Sequence, residues 1–363
     1  MDVSLAAPRL AEEALDEAER VLREEFFLGG DTVDAFEGDL ESYFDVDHAI
    51  TLDSGTRALQ IGLESVGIGE GDTVVTTPAT FIATGNVILR AGAEVRFVDI
   101  DLDTYGPDLA ELERIVEVEE IGAVMPIHLY GYPLDIERIR EIVGPDTVIV
   151  SDACQAHGGV RDGQKAGTMA DVGGLSFYPS KNMTVAGDGG VLLTDDAEAA
   201  QVARSLRDVG RSQSGYEHER IGYTARLNTV NAAIGRDQLR RLDEWNERRR
   251  EVAAQYTDAF GDLPLALPPM GDDEVTPAWY FYTIRADDRE ALGAHLKEHG
   301  IETGRQYRLP VHLQPPYREM GYEEGQFPRA EEWADTLLTL PCHQFLSDEQ
   351  VDHVVETVRG YFE

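Results

Sequence analysis

Asp171-Val-Gly-Gly-Leu-Ser-Phe-Tyr-Pro-Ser-Lys-Asn-Met-Thr-Val-Ala-Gly-Asp-Gly-Gly190 is the stretch from which the rest of the chain can be read. Its Lys181 is one of three lysines in 363 residues, the others being Lys165 and Lys297, and arginine carries nearly all the other positive charge. A lysine kept in that background, among Ser176, Ser180 and a glycine turn, points to chemistry that guanidinium cannot do. A primary amine can lose its proton and condense with an aldehyde, whereas arginine stays protonated. A solvated lysine beside a loop is the competing reading of this stretch alone.

Two motifs upstream bear on that choice. Thr147-Val-Ile-Val-Ser151 is a buried-type strand that runs into Asp152-Ala-Cys-Gln-Ala-His-Gly158. An aspartate after a strand is often a cap or turn former. Cys154 reads as packing, since nothing beside it in sequence would lower its pKa. Further upstream, Ala49–Asp53 is a short strand, followed by Ser54-Gly55-Thr56 and a helical pattern with Ala58, Leu59, Gly62, Leu63 and Val66 on one face. Such a turn offers free backbone N–H groups and hydroxyls to a phosphate, and it is equally an ordinary N-cap.

Between these motifs strands and helices alternate. Asp72–Thr77 is β-rich and stops at Pro78, and a helix opens at Thr80 and runs through Leu89. Glu94–Asp99 and Ala123–His128 read as strands around a helix at Leu109–Val118, and His128 is given no role. This alternation predicts a mainly parallel sheet with ligands at the strands' carboxyl ends. Ahead of it, residues 9–28 and 31–46 form an acidic amphipathic helix pair. Behind it come a helix at Gln201–Val209, a Ser/Gly/Arg-rich loop at 210–222 and a long helix from Val230 to about Tyr256. A Pro-rich loop at 264–277, a strand at Trp279–Ile284, a helix at Arg289–His299, a strand starting at Ile301 and a helix at Asp348–Tyr361 complete the pattern. The length exceeds one compact core, so two lobes are expected, residues 1–245 and 246–363.

Composition excludes several classes. A net charge of -38, from 69 acidic and 31 basic residues, lacks the basic footprint of a nucleic-acid binder. Acid excess with almost no lysine fits a high-salt cytosol, where self-repulsion is screened. No apolar run spans a membrane, and the first residues lack the basic and apolar regions of a secretory signal, so the cytoplasm is the expected location. Two cysteines make no disulfide framework, and no HExxH, CxxC or Cys/His cluster suggests a metal.

Taken in order, Asp53-Ser-Gly-Thr-Arg-Ala-Leu59, Asp152-Ala-Cys-Gln-Ala-His-Gly158 and Ser176-Phe-Tyr-Pro-Ser-Lys-Asn182 resemble the sugar aminotransferases of the DegT/DnrJ/StrS type, from about residue 10 to the C-terminus. That resemblance implies the α/β fold of type I enzymes using pyridoxal 5′-phosphate (PLP), with a large parallel-sheet domain and a smaller C-terminal α/β domain. It implies that Lys181 carries PLP covalently and that Asp152 faces the pyridine nitrogen. Gly55, Thr56 and Ser176 match phosphate-binding positions, Gln155 the contact to the phenolic oxygen, and Phe81 the aromatic that stacks on the ring, with a core phenylalanine as the alternative. Gly187-Asp-Gly-Gly190 replaces the usual Gly-Glu-Gly-Gly. The segment Gly222–Arg226 matches one that reaches the partner subunit's cofactor, with Thr224 where the family commonly has Asn and with Arg226 kept. Tyr307 and His312 match the pattern before a Gln-Pro-Pro turn, as walls of the substrate cleft or as packing residues.

The function implied is amino transfer to a nucleotide-linked keto-sugar, with glutamate as donor, by a homodimer with shared sites. Sugar dehydration on the same frame is an alternative, but relatives doing it replace the lysine with histidine. A non-catalytic binding or regulatory homologue is the other alternative, disfavoured by Asp152, Gln155, Ser176 and Lys181 standing together.

Overall fold

Residues 1–212 and 214–363 are described by a computed structural model. Helices α1 (Glu12–Glu24) and α2 (Asp31–Phe44) come first and bury Ala14, Ala18 and Val21, and Phe36, Leu40 and Phe44, respectively. The chain then alternates through β1 (His48–Leu52), α3 (Gly55–Ser65), β2 (Thr73–Thr76), α4 (Ile82–Ala91), β3 (Glu94–Phe97), α5 (Leu109–Val118), β4 (Ala123–Val124), α6 (Ile136–Val143) and β5 (Val148–Asp152). Short strands β6 (Val160–Arg161) and β7 (Gln164–Lys165) precede β8 (Val172–Ser176), β9 (Gly190–Thr194) and α7 (Ala197–Arg207). The 32-residue α8 (Thr229–Phe260) leads to β10 (Val275–Thr276), β11 (Tyr282–Arg285), α9 (Arg289–Glu298), α10 (Pro315–Glu319), α11 (Pro328–Thr336), β12 (Leu337–Leu340) and α12 (Asp348–Phe362).

Seven strands form the central sheet in the order β1-β9-β8-β5-β4-β2-β3. Only β9 runs against the rest, pairing antiparallel with both β1 and β8. Consequently β1, β2, β5 and β8 point the same way, and the residues following each of them emerge at one edge. Those residues are Ser54-Gly55-Thr56, Phe81, Asp152–Gln155 and Ser176–Lys181. The topology thus gathers motifs scattered over more than a hundred residues, as open α/β sheets do at their carboxyl ends.

The parallel α/β fold holds, and three local expectations are corrected. The strand foreseen at Ala123–His128 is cut to Ala123–Val124, because Pro126 has no N–H for the ladder; Ile127 recovers one bridge to Asp152. The strand foreseen from Trp279 starts only at Tyr282, because Trp279 adopts φ 51 and breaks the alternation. Ile301 makes a single parallel bridge with Val3 instead of opening a strand, and β11 pairs with β12.

One apolar core lies against the sheet and includes Phe97, Tyr317 and Trp333. Another joins Tyr256, Phe260, Tyr282, Leu296 and Val354 with Val3. Helix α8 serves two cores, with Leu239 and Leu242 beside Phe36 and Phe177, and with Val252, Tyr256 and Phe260 further along. Among the described residues no helix is long and apolar enough to cross a membrane.

Candidate active site

A cavity of about 500 Å³ opens at the carboxyl edge of the sheet, and Gly55, Thr56, Phe81, Asp152, Gln155, Ser176, Lys181 and Tyr307 all line it. Each is fixed by the turn that bears it.

Ser54 caps α3, its hydroxyl accepting from the Arg57 N–H at 3.2 Å. Gly55 follows at the first helical position, where backbone donors lack intrahelical partners. A Cβ on Gly55 would stand 2.5 Å from Ser176 Cβ, and one on Gly190 would stand 2.6 Å from Gly55 N. Both glycines therefore let β8, β9 and the α3 terminus close into one cradle. That cradle of helix N-terminus plus the Thr56 and Ser176 hydroxyls suits a phosphate.

Asp152 is buried at the end of β5 and accepts from Thr84 Oγ1 at 2.8 Å and from the Cys154 N–H at 3.1 Å. One donor per carboxylate oxygen orients the group and leaves acceptor capacity toward the cavity. Cys154 also lines the wall, and burial followed by the neighbouring Asp152 pushes its thiol up, which makes it unreactive. Gln155 is oriented by the Tyr130 N–H, which donates to Oε1 at 3.0 Å, so Nε2 donates to Tyr307 OH at 3.3 Å. Phe81 is 51% exposed and stands 5.6 Å from the Tyr307 ring. An open aromatic face in a cavity wall suits stacking better than core packing. Burial, then Tyr280 and Asp152, pushes the Tyr307 phenol well up, so it keeps its proton.

Lys181 sits in the turn after β8, its N–H donating to Tyr178 O at 2.9 Å. Its ammonium lies 4.1 Å from the centre of the Tyr280 ring, and Tyr280 OH is 3.0 Å from Ser180 Oγ. The next residue anchors the turn: Asn182 Nδ2 donates to Ala278 O at 2.6 Å and to Asn246 Oδ1 at 2.8 Å. Asn246 in turn donates to His157 O at 2.7 Å.

Three expected site residues lie elsewhere. Thr224 is exposed and bridges Asp208, and Arg226 pairs with Asp208 Oδ1 at 2.9 Å, so neither reaches this chain's own cavity. His312 is fully buried with Nε2 3.0 Å from Glu331 and its ring against Phe327. It is a packing residue here, because the helical turn at Val311–Leu313 faces it into the core. His128 is likewise structural, 2.6 Å from Ser151 Oγ, and burial holds it down to about 3.

Leu5, Ala6, Tyr280, Phe281 and Gln306 are among the further lining residues, and none carries a sequence signal. Tyr280 was hidden by the strand pattern of Trp279-Tyr-Phe-Tyr282, which gives Tyr280 and Tyr282 one face. The bend at Tyr280 comes before the strand, so Tyr282 packs with Tyr256 and Ile284 while Tyr280 stands beside Lys181.

An amine, a buried oriented carboxylate, an open aromatic face and a helix-terminus cradle around one cavity meet the requirements of PLP, with a group for each of its aldehyde, ring nitrogen, ring face and phosphate. This is the site of a fold type I PLP-dependent aminotransferase. The family model for DegT/DnrJ/EryC1/StrS aminotransferases matches residues 8–359, and the chain belongs to that family. It is 36% identical to the dTDP-3-amino-3,4,6-trideoxy-alpha-D-glucose transaminase of Streptomyces venezuelae, over 100% of this chain and 96% of the relative. It is 40% identical to the pleiotropic regulatory protein of Geobacillus stearothermophilus, over 100% of this chain and 98% of that one. The solved structure of DesV from S. venezuelae superposes with a TM-score of 0.93 at 36% identity, covering 98% of this chain and 99% of the other. The family's members include nucleotide-sugar aminotransferases, which supports sugar transamination by this chain.

Proposed function

We propose that this enzyme transfers the amino group of glutamate to a nucleotide-linked keto-sugar. The observation that carries the proposal is the convergence of Lys181, Asp152, Gln155 and Ser176 on one cavity. PLP, when bound, supplies the aldehyde that takes up the donor's nitrogen and a ring that makes the donor's Cα–H acidic. Gly55, Thr56 and Ser176 would hold its phosphate, Phe81 would cover its ring, Gln155 would meet its phenolic oxygen, and Asp152 would keep its ring nitrogen protonated. Lys181 Nζ would anchor the cofactor at rest and, when free, would move the proton between the donor's Cα and the cofactor. Over the full cycle glutamate would become its 2-oxo acid and the sugar ketone an amine. Tyr307, whose proton is retained, offers a donor to the substrate.

The division into lobes 1–245 and 246–363 belongs to the same proposal; the boundary falls inside α8, which links the two cores. So does a homodimer. Phe26, Phe27 and Leu28 are exposed at 78%, 53% and 41%. Leu28 bridges Asn228, two residues beyond Arg226. An apolar patch beside Thr224 and Arg226 supports a second copy seated there, with that segment completing the neighbour's phosphate cradle.

The test is production of amino-sugar from glutamate and a panel of nucleotide keto-sugars by the PLP-loaded protein. Lys181→Ala is expected to fold, to lose covalent PLP and to lose turnover; full turnover by that variant would sink the assignment. Sedimentation at molar salt checks the dimer, and an active monomer would contradict it.

A further inference from the structure

The amine of Lys181 has no carboxylate to rest on. Asp152 and Asp188 share the cavity with it, yet among the described residues Nζ makes no ion pair and no hydrogen bond. What lies against it is the face of a ring, that of Tyr280, with Nζ 4.1 Å from its centre. Tyr280 is buried and held from several sides. Its N–H donates to Tyr130 O at 2.8 Å, and its C=O accepts from Arg249 Nη1 at 3.3 Å. Its ring centre lies 3.9 Å from that of Phe281, and its hydroxyl is 3.0 Å from Ser180 Oγ. Ser180 is the residue before the lysine, so one turn carries both the amine and the anchor of the ring beneath it.

A lysine that takes up a proton and gives it back is a cation for part of each cycle. Its four-carbon stem is flexible, and a cavity of about 500 Å³ gives the head room to swing away. A carboxylate at hydrogen-bond distance would hold the ammonium but would also offer its proton a base. An aromatic face attracts the charge through its quadrupole and aims no lone pair at the N–H groups. The one oxygen on the Tyr280 side chain is engaged with Ser180.

We propose that Tyr280 is a positioning residue whose ring face is the station of the Lys181 ammonium while that amine is free of the cofactor, holding the charge at one place in the cavity without draining its proton. The proposal rests on the proton-moving role given to Lys181 above. The other two lysines serve as references. Lys165 lies 4.6 Å from the centre of the Tyr43 ring, and Lys297 is exposed on α9.

With only three lysines in the chain, the station can be observed directly. The full chain freed of cofactor and carrying lysine labelled with carbon-13 at Cε is studied by NMR at molar salt, each resonance being assigned by a Lys→Arg substitution. A methylene held over a ring is displaced upfield by the ring current. The wild-type Lys181 resonance is expected upfield of the Lys297 resonance. In Tyr280→Leu it should return to the Lys297 position while Lys165 stays unmoved, and in Tyr280→Phe, which keeps the face, it should stay displaced. In PLP-loaded enzyme mixed with glutamate, the loss of PLP absorbance should slow by about twofold to about thirtyfold in Tyr280→Leu, the worth of one cation–π contact. In Tyr280→Phe it should slow by less than about twofold. A wild-type Lys181 resonance that coincides with that of Lys297 overturns the station, whether or not the variants fold. A Phe variant as slow as the Leu variant, or a Leu variant as fast as wild type, overturns it too. Because the resonances need neither cofactor nor substrate, they decide on Tyr280 separately from the function proposed above, which a PLP-loaded wild type inert toward glutamate would contradict.

Discussion

Asp152 accepts one hydrogen bond on each oxygen, from Thr84 and from the Cys154 backbone, at 2.8 and 3.1 Å. An amide can imitate both, since Oδ1 still accepts and Nδ2 can donate to the threonine oxygen, but it cannot balance a protonated ring nitrogen. Asp152→Asn is therefore expected to fold and retain PLP while kcat falls by about a hundredfold or more, the scale of losing one preorganised electrostatic contact. Steady-state kinetics with matched cofactor content check this, and wild-type turnover would make Asp152 a structural residue. At this scale the sequence was most legible where a residue's neighbours carry its meaning: Asp152, Gln155, Ser176 and Lys181 sit in motifs that name their own surroundings. Leu5, Ala6 and Tyr280 have no such signature, because they reach the cavity through contacts that only the folded chain creates. His312, for which wall and packing were both open in sequence, is turned into the core.

Among the elements, α8 connects most of what has been described. Its Asn246 holds the turn after Lys181, and one turn later Arg249 donates to Trp279 O at 3.0 Å, Cys342 O at 2.8 Å and Gln344 Oε1 at 3.0 Å. Arg249 is 3% exposed, and burial draws its guanidinium down to about 10, so it is still charged at working pH. It makes no ion pair among the described residues and is solvated by carbonyls alone. Arg249→Met would leave those carbonyls buried without donors, at a cost on the order of 2–4 kcal/mol. Urea melts at fixed salt measure that loss, and a variant as stable as wild type would show that the carbonyls find other partners. The neighbouring Arg248 and Arg250 pair at the surface with Glu251, Asp348 and Glu247. Only Arg249 departs from this, because a helix through two cores turns one residue in each few inward.

For the whole molecule, charge and burial set the working conditions. Sixty-nine acidic residues against thirty-one basic ones leave a repulsion that salt screens, with a Debye length falling from about 30 Å at 0.01 M to about 3 Å at 1 M. The melting temperature should rise steadily as KCl is added, and a midpoint indifferent to salt would contradict a halophilic design. Protons act separately. Burial holds His128 and His157 down to about 3 and His343 to about 4. Unfolded, each returns to about 6.5, so between these values the unfolded chain binds more protons. Stability is then full above about pH 6.5 and falls as pH drops, by up to about 1.4 kcal/mol per unit for each histidine. Urea midpoints at constant salt from about pH 7.5 to about pH 5 should decline accordingly, and a flat profile would mean that these imidazoles protonate without unfolding. Overall charge was plain from composition; which histidines are dry was not, since three-dimensional enclosure leaves no mark on the neighbours in sequence.

The reversed strand also bears on how the protein comes into being. β1 has β9 as its sheet partner, with His48 opposite Thr194, while α1 and α2 pack on α8. A ribosome adding about 5–20 residues per second therefore completes β1 on the order of ten seconds before its partner strand β9 exists. Over that interval the apolar strand lacks its sheet partner, and the acidic residues of α1 and α2 beside it oppose its pairing with another chain.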